Sequence, residues 1–218
     1  MKNKKKLQRI TALFILVLIF AMGIETANSY AASQKRKALK AYRHLLEQEK
    51  INFEEEEDIE EGSWDKLENM QFAIAYIDKD KVPELIIYSG EGNEHGIYGA
   101  GILYTYKKNR LRRVGNLGIS IAKRVRYYKR KGYIMDVVYD DMEHDWIEFT
   151  KLSGTKLKYC STGTEYDYDH NKWRYTYKGK YCSKSSYKKK IRKMTRRKSA
   201  SKFKWRKNTY ENRKKYLK

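Results

Sequence analysis

Apolar positions change their period twice along the chain. From Ile10 to Ile24 they are continuous except at Thr11 and Gly23. After a polar stretch of small residues, Ala38, Leu39, Tyr42, Leu45 and Leu46 recur at three- and four-residue spacing. That spacing predicts an amphipathic helix opening at Ser33 and running to about Lys50. The period then shortens to strand-like runs. Phe72–Ile77 and Leu85–Tyr88 flank a turn over Asp78–Pro83, and Gly101–Tyr106 with Leu111–Val114 reads as a hairpin turning at Lys108-Asn109. Further strands are expected at Ile121–Tyr128, Tyr133–Tyr139, Trp146–Leu152, Leu157–Ser161 and Trp173–Tyr177. Turns every roughly 8 to 12 residues, with no long helices between the strands, predict an antiparallel meander and disfavour a parallel Rossmann-like sheet. Helical spacing returns at the end, where Tyr187, Ile191 and Met194 form a stripe and Asn208 with Glu211 reads as an N-x-x-E capping box for a last helix through Leu217. So thin a stripe does not hold an isolated helix, which must pack on the sheet or fray.

The pattern predicts an α+β protein: a mostly antiparallel β-meander with an N-terminal amphipathic helix and a basic helical C-terminal tail. The expected divisions are residues 1–31, a signal peptide; 32–52, the N-terminal helix; 53–70, an acidic loop or linker; 71–182, the β-rich domain; and 183–218, the basic tail. The first of these rests on the basic opening MKNKKKLQR, the apolar run and the small residues Ser29 and Ala31, with cleavage expected after Ala31. An uncleaved anchor is the alternative, but a spanning helix needs roughly 20 apolar residues and this run is shorter. The expected location is secreted or at the cell surface.

Composition narrows the class. At 218 residues, 40% hydrophobic and 14% aromatic, the chain carries enough apolar surface to exclude low-complexity disorder. Two cysteines exclude a disulfide-dense scaffold. The net charge of +22 is distributed in blocks. Residues 53–94 are strongly acidic, 107–131 contain only basic charges, 136–148 only acidic ones, and 183–218 hold 17 basic residues against Glu211 alone. Such blocks govern association more than fold.

Candidate chemistry is sparse. Asp78, Asp80 and Glu84 sit at the alternating positions of an oxygen-rich calcium loop, with Tyr76 and Lys81 where that loop has an acid and a glycine. A plain strand-connecting turn is the competing reading. The acids at 140–148 (Asp140, Asp141, Glu143, Asp145, Glu148, with His144) offer paired carboxylates, although neighbours on a strand face opposite ways. Gly90–Gly96 lacks the spacing of a phosphate cradle, and G-x-S-x-G, H-E-x-x-H and C-x-x-C are absent from the sequence. Cys160 and Cys182 face one another if their strands form a hairpin centred near Asn171, and otherwise remain buried thiols. The basic runs Lys188-Lys189-Lys190 and Arg196-Arg197-Lys198 suit anions without sequence preference. For an exported protein these are envelope polymers such as wall teichoic acid, or lipid headgroups, rather than nucleic acid.

Phe72–Ile87, Leu103-Tyr-Thr-Tyr106 with Val114-Gly115, Lys151–Leu157 and Asn208–Leu217 together resemble a group of uncharacterised exported proteins of Gram-positive, clostridial-type gut bacteria. The resemblance implies export and this architecture, and no activity. The phrase Asp78–Leu85 also resembles the calcium loops of extracellular β-repeat proteins, D-x-D-G-D-G-x-P-E-L, departing from them at Tyr76, Lys79 and Lys81. The function expected is that of a non-catalytic exported protein held to anionic envelope polymers by basic patches. The alternative is a secreted hydrolase or carbohydrate-binding protein using the Tyr/Trp-rich sheet and the acids at 140–148, marked by a pocket where two of those acids meet an exposed ring. A third reading has calcium stabilising the fold through Asp78, Asp80 and Glu84.

Overall fold

The computed structural model describes residues 29–52, 64–89, 101–117, 125–139 and 145–218. The expected signal segment through residue 28, most of the acidic linker, the Gly90–Gly96 loop, the start of the strand expected at Ile121, residues 140–144 and the side chain of Asp145 lie outside what is described.

Helix α1 occupies residues 29–46. It therefore runs through Ser33 instead of being capped there, because Ala31 and Ala32 are strong helix formers that extend it backwards; the bond after Ala31 lies inside it. It also stops short of Lys50. Residues Lys50–Asn52 form strand β1, which pairs antiparallel with β2 (Trp64–Lys66), and a 3-10 turn follows at Leu67–Asn69. The expected apolar face is the one that packs: Ala38, Leu39, Tyr42, Leu45 and Leu46 are all buried.

They pack on a five-stranded antiparallel sheet made of β3 (Gln71–Ala75), β4 (Glu84–Tyr88), β5 (Gly101–Lys107), β6 (Arg110–Leu117) and, late in the chain, β14 (Arg206–Lys207), in the order β14-β3-β4-β5-β6. Phe72, Leu85, Ile87, Ile102 and Tyr104 face α1, whereas Ala73, Ala75, Ile86, Tyr88 and Leu103 face the opposite way into a second core. This sheet is covered on both sides, which is why β4 reads as an unbroken apolar run instead of alternating.

The second cover is a seven-stranded sheet containing β7 (Arg126–Tyr128), β8 (Tyr133–Tyr139), β9 (Asp145–Ser153), β10 (Lys156–Asp167), β11 (Lys172–Tyr177), β12 (Lys180–Tyr181) and β13 (Ser201–Lys202). Strands β7 to β12 follow one another in space as in sequence, so the expected antiparallel meander is formed, divided between two sheets. The hairpin at Lys108-Asn109 turns with both residues in the left-handed region (φ 52° and 58°), the pairing that suits strand twist. Ile134, Leu152 and Phe203 close the core between the sheets.

The C-terminal segment is more than a helical tail. Helix α2 (Lys184–Met194) packs against β11, and α3 (Tyr210–Tyr216) ends beside α1, with Leu217 buried in the first core. Between them β13 pairs with β7 and β14 with β3, so one short stretch is hydrogen-bonded to both sheets. Among the described residues no helix is long and apolar enough to cross a membrane.

Candidate functional site

Helix α2 is built to present charge. Its N-cap is Ser183, whose hydroxyl accepts from the Ser186 amide at 3.3 Å. Tyr187 is the buried anchor, its ring 5.4 Å from that of Tyr175 on β11. Burial first, and then neighbouring acidic hydroxyls and a thiol, push the Tyr187 phenol well above its ordinary value. With Tyr187 fixed inward, helical geometry turns Lys188, Lys189, Arg192 and Lys193 outward, and all four are exposed. Arg192 and Lys193 occupy the last turn, where the helix dipole favours cations by about 0.3–1 kcal/mol each and offsets part of their mutual repulsion.

The helix closes at Thr195, a buried residue whose hydroxyl donates to the Ile191 carbonyl at 2.9 Å. Arg196 and Arg197 then both adopt the left-handed region, φ 52° and 59°, at a cost of about 1 kcal/mol or more each. The reversal lets the Arg197 amide donate to the Arg192 carbonyl at 2.7 Å and folds Arg196–Lys198 back beside the helix end. The product is a groove of about 1360 Å³ lined by seven Lys and Arg side chains, with Tyr128 and Ile191 as its apolar contribution and no acid among the described residues of its lining.

The positive field extends past the groove. Partial desolvation, followed by the charges of Arg196, Lys198 and Lys79, holds the Lys131 ammonium below its ordinary value. Lys79, Lys131, Lys151 and Arg196 share a neighbouring depression of about 350 Å³ with Asp78. Of the six basic residues singled out in the sequence, Lys188, Lys189, Arg196, Arg197 and Lys198 line the groove. Lys190 does not: it sits on the sheet side of α2, its ammonium 5.2 Å from the Tyr177 ring centre. Arg192 and Lys193 take its place. They are legible in the sequence, since a helix that turns Tyr187 inward exposes positions 188, 189, 192 and 193.

The loop between β3 and β4 brings its three carboxylates together, with ligand atoms of Asp78, Asp80 and Glu84 all within 4.8 Å of one another. Asp78 accepts from the Asp80 amide and Asp80 from the Val82 amide, each at 2.9 Å, so the two side chains template the turn. Buried Glu84 accepts from the Ile77 amide at 2.8 Å, while its other oxygen has no hydrogen-bond partner among the described residues. What the carboxylates converge on is an ammonium. Lys107, from β5, places Nζ 2.7 Å from Asp78 and 3.3 Å from Asp80. Burial alone would lower the Lys107 pKa, but the hydrogen bond and charge of Asp78, with Asp80, raise it on balance. Burial and the neighbouring Asp78 raise that of Asp80. A calcium ion takes six to eight oxygen ligands. An ion at this loop would compete with Lys107 for the oxygens of Asp78 and Asp80.

Cys160 and Cys182 are free thiols. The Cys182 amide donates to the Tyr175 carbonyl and Tyr175 pairs with Thr164, so β11 runs between the strands carrying the two cysteines. The hairpin that would set them face to face is not the one formed. Two strand spacings, roughly 9.5 Å, exceed the reach of a disulfide. Of the acids at 140–148, Glu148 lies on the seven-stranded sheet 3.5 Å from the hydroxyl of exposed Tyr159.

The chain is thus an α+β protein of two stacked antiparallel sheets with a basic groove on its outer helix. Comparison with protein-family models, with curated proteins and with solved structures finds no match to it.

Proposed function

We propose that the protein is a non-catalytic exported or surface-associated protein that holds anionic envelope polymers, teichoic acid or acidic lipid headgroups, in the groove at the end of α2. The observation that supports this reading is the groove itself: seven cationic side chains around one depression, with no acid among its described lining residues. Like charges gathered at this density repel one another, and a bound polyanion relieves that repulsion. The left-handed Arg196-Arg197 turn, paid for in backbone strain, is what adds the last three cations.

The test is retention on purified cell wall, or on vesicles containing anionic lipid, as salt is raised from about 0.05 to about 0.5 M, a range over which screening shortens from over 10 Å to a few Å. Retention is expected to fall steeply with salt, and Lys189→Glu/Arg192→Glu, both on the exposed face of α2, is expected to lower it at least tenfold. Salt-insensitive retention, or retention unchanged in the double variant, would sink the proposal.

A further inference from the structure

A second groove, of about 510 Å³, opens on the seven-stranded sheet where β10 departs from regular pairing with β9. Tyr159 pairs with Thr150 and Gly163 with Glu148, so three residues of β10, Cys160 to Thr162, stand opposite Phe149 alone. The bulge is held firmly. Ser161 takes φ 43°, its carbonyl accepts from the Gly179 amide at 2.7 Å, and the Thr162 hydroxyl accepts from the Lys178 amide at 3.0 Å. A strained, over-determined bulge of this kind re-aims side chains, and such features cluster at binding sites.

Strand parity gives the groove its lining. Glu148, Gly163 and Thr176 form one cross-strand row, and Glu165 and Tyr159 project from the same face. Gly163 admits no side chain, because a Cβ there would stand 1.9 Å from the Ile147 carbonyl oxygen. The floor between Glu148 and Thr176 is therefore bare backbone. At one side stands Tyr159, 63% exposed, its hydroxyl donating to Glu148 over 3.5 Å. An exposed ring, two carboxylates and the hydroxyls of Ser161 and Thr176 thus meet in one depression.

In a chain of net charge +22, none of the described lining residues is basic, so this groove is made for something other than the polyanion held at α2. An exposed aromatic ring beside carboxylates that accept hydrogen bonds matches a molecule with an apolar C–H face and a rim of hydroxyl donors. We propose that this groove binds a neutral saccharide, with Tyr159 as the stacking platform and Glu148 and Glu165 accepting from its hydroxyls. The site is distinct from the α2 groove and stands or falls separately.

The experiment is titration of the full chain with neutral trisaccharides (cellotriose, maltotriose, xylotriose and chitotriose) followed by NMR shift changes and calorimetry. At least one is expected to bind, with affinity unchanged by about 0.5 M salt because no ion pair is involved. Tyr159→Ala is expected to weaken that binding about tenfold, the loss of one stacked ring, and Glu148→Gln and Glu165→Gln to weaken it several-fold each. Tyr159 is exposed, so its variant folds, and circular dichroism verifies this. The Lys189→Glu/Arg192→Glu variant is expected to bind the sugar as the wild type does. The proposal is overturned if no trisaccharide binds at millimolar concentration, if Tyr159→Ala binds as tightly as wild type, or if a trilysine peptide binds in a salt-sensitive manner where the sugars do not.

Discussion

Glu84 shows how one residue can shape the whole pH response of a fold. It is fully buried beside Asp78 and Asp80, within the field of the Lys107 ammonium and with the Tyr42 hydroxyl committed to the Pro83 carbonyl at 2.8 Å. Burial, reinforced by the two aspartates against the Ile77 hydrogen bond and Lys107, pushes its carboxyl up from near 4.5 to about 8. The folded state therefore keeps a proton that the unfolded chain releases across this interval. Stability from this group is fully present below about pH 4.5 and declines as the pH rises through about 8. Glu84→Gln keeps the acceptor for the Ile77 amide and removes the titration. Urea unfolding at about pH 5 and about pH 8 is expected to show the wild type losing stability relative to the variant, by on the order of a few kcal/mol. Parallel pH profiles would show that Glu84 is already ionised and compensated in the fold.

At the scale of elements, the last helix shows a side chain diverted from local to distant use. Asn208 has the spacing of a capping-box residue, yet the cap of α3 is Thr209, whose hydroxyl accepts from the Asn212 amide at 3.3 Å. The Asn208 amide is engaged elsewhere, donating to the carbonyls of Leu46 at 3.0 Å and Leu67 at 2.8 Å while its oxygen accepts from Arg213. It thereby closes the C-terminal end of α1 and the 3-10 turn at once. Asn208→Ala leaves two buried carbonyls without this donor and is expected to cost about 2–4 kcal/mol, against about 1 kcal/mol for Thr209→Ala. Chemical denaturation of both variants checks the ranking, and a larger loss in Thr209→Ala would reverse the assignment. Period and turn chemistry made the helix, the hairpin at Lys108-Asn109 and the order of the strands legible, because those depend on neighbours in sequence. Nothing local distinguishes Asn208 as a long-range donor, Lys107 as the partner of Asp78 29 residues earlier, or Gly163 as the floor of a bulge. These depend on register and on contacts between distant segments.

For the whole molecule, the consequence is that the cationic C-terminal segment is part of the scaffold. Ser201–Lys202 and Arg206–Lys207 pair with different sheets, and Phe203 and Trp205 between them pack in the core those sheets share. Phe203 stacks on Tyr127 at 4.8 Å, and Trp205 lies 5.6 Å from Phe203 and 5.4 Å from Tyr88. The segment acts as a clasp, so the groove on α2 is held by the same packing that joins the layers. Removing the clasp's anchor should loosen both sheets together. Phe203→Ala, which empties a buried aromatic site, is expected to cost about 3–5 kcal/mol. Amide hydrogen exchange is expected to show protection falling by the same free energy in β3–β5 and in β8–β10, since both open in one cooperative unit. If the seven-stranded sheet alone lost protection while the amides of β3 and β4 kept theirs, the two layers would be separate folding units. The segment would then be an appendage of one sheet, and charge changes on α2 would leave the α1 layer untouched.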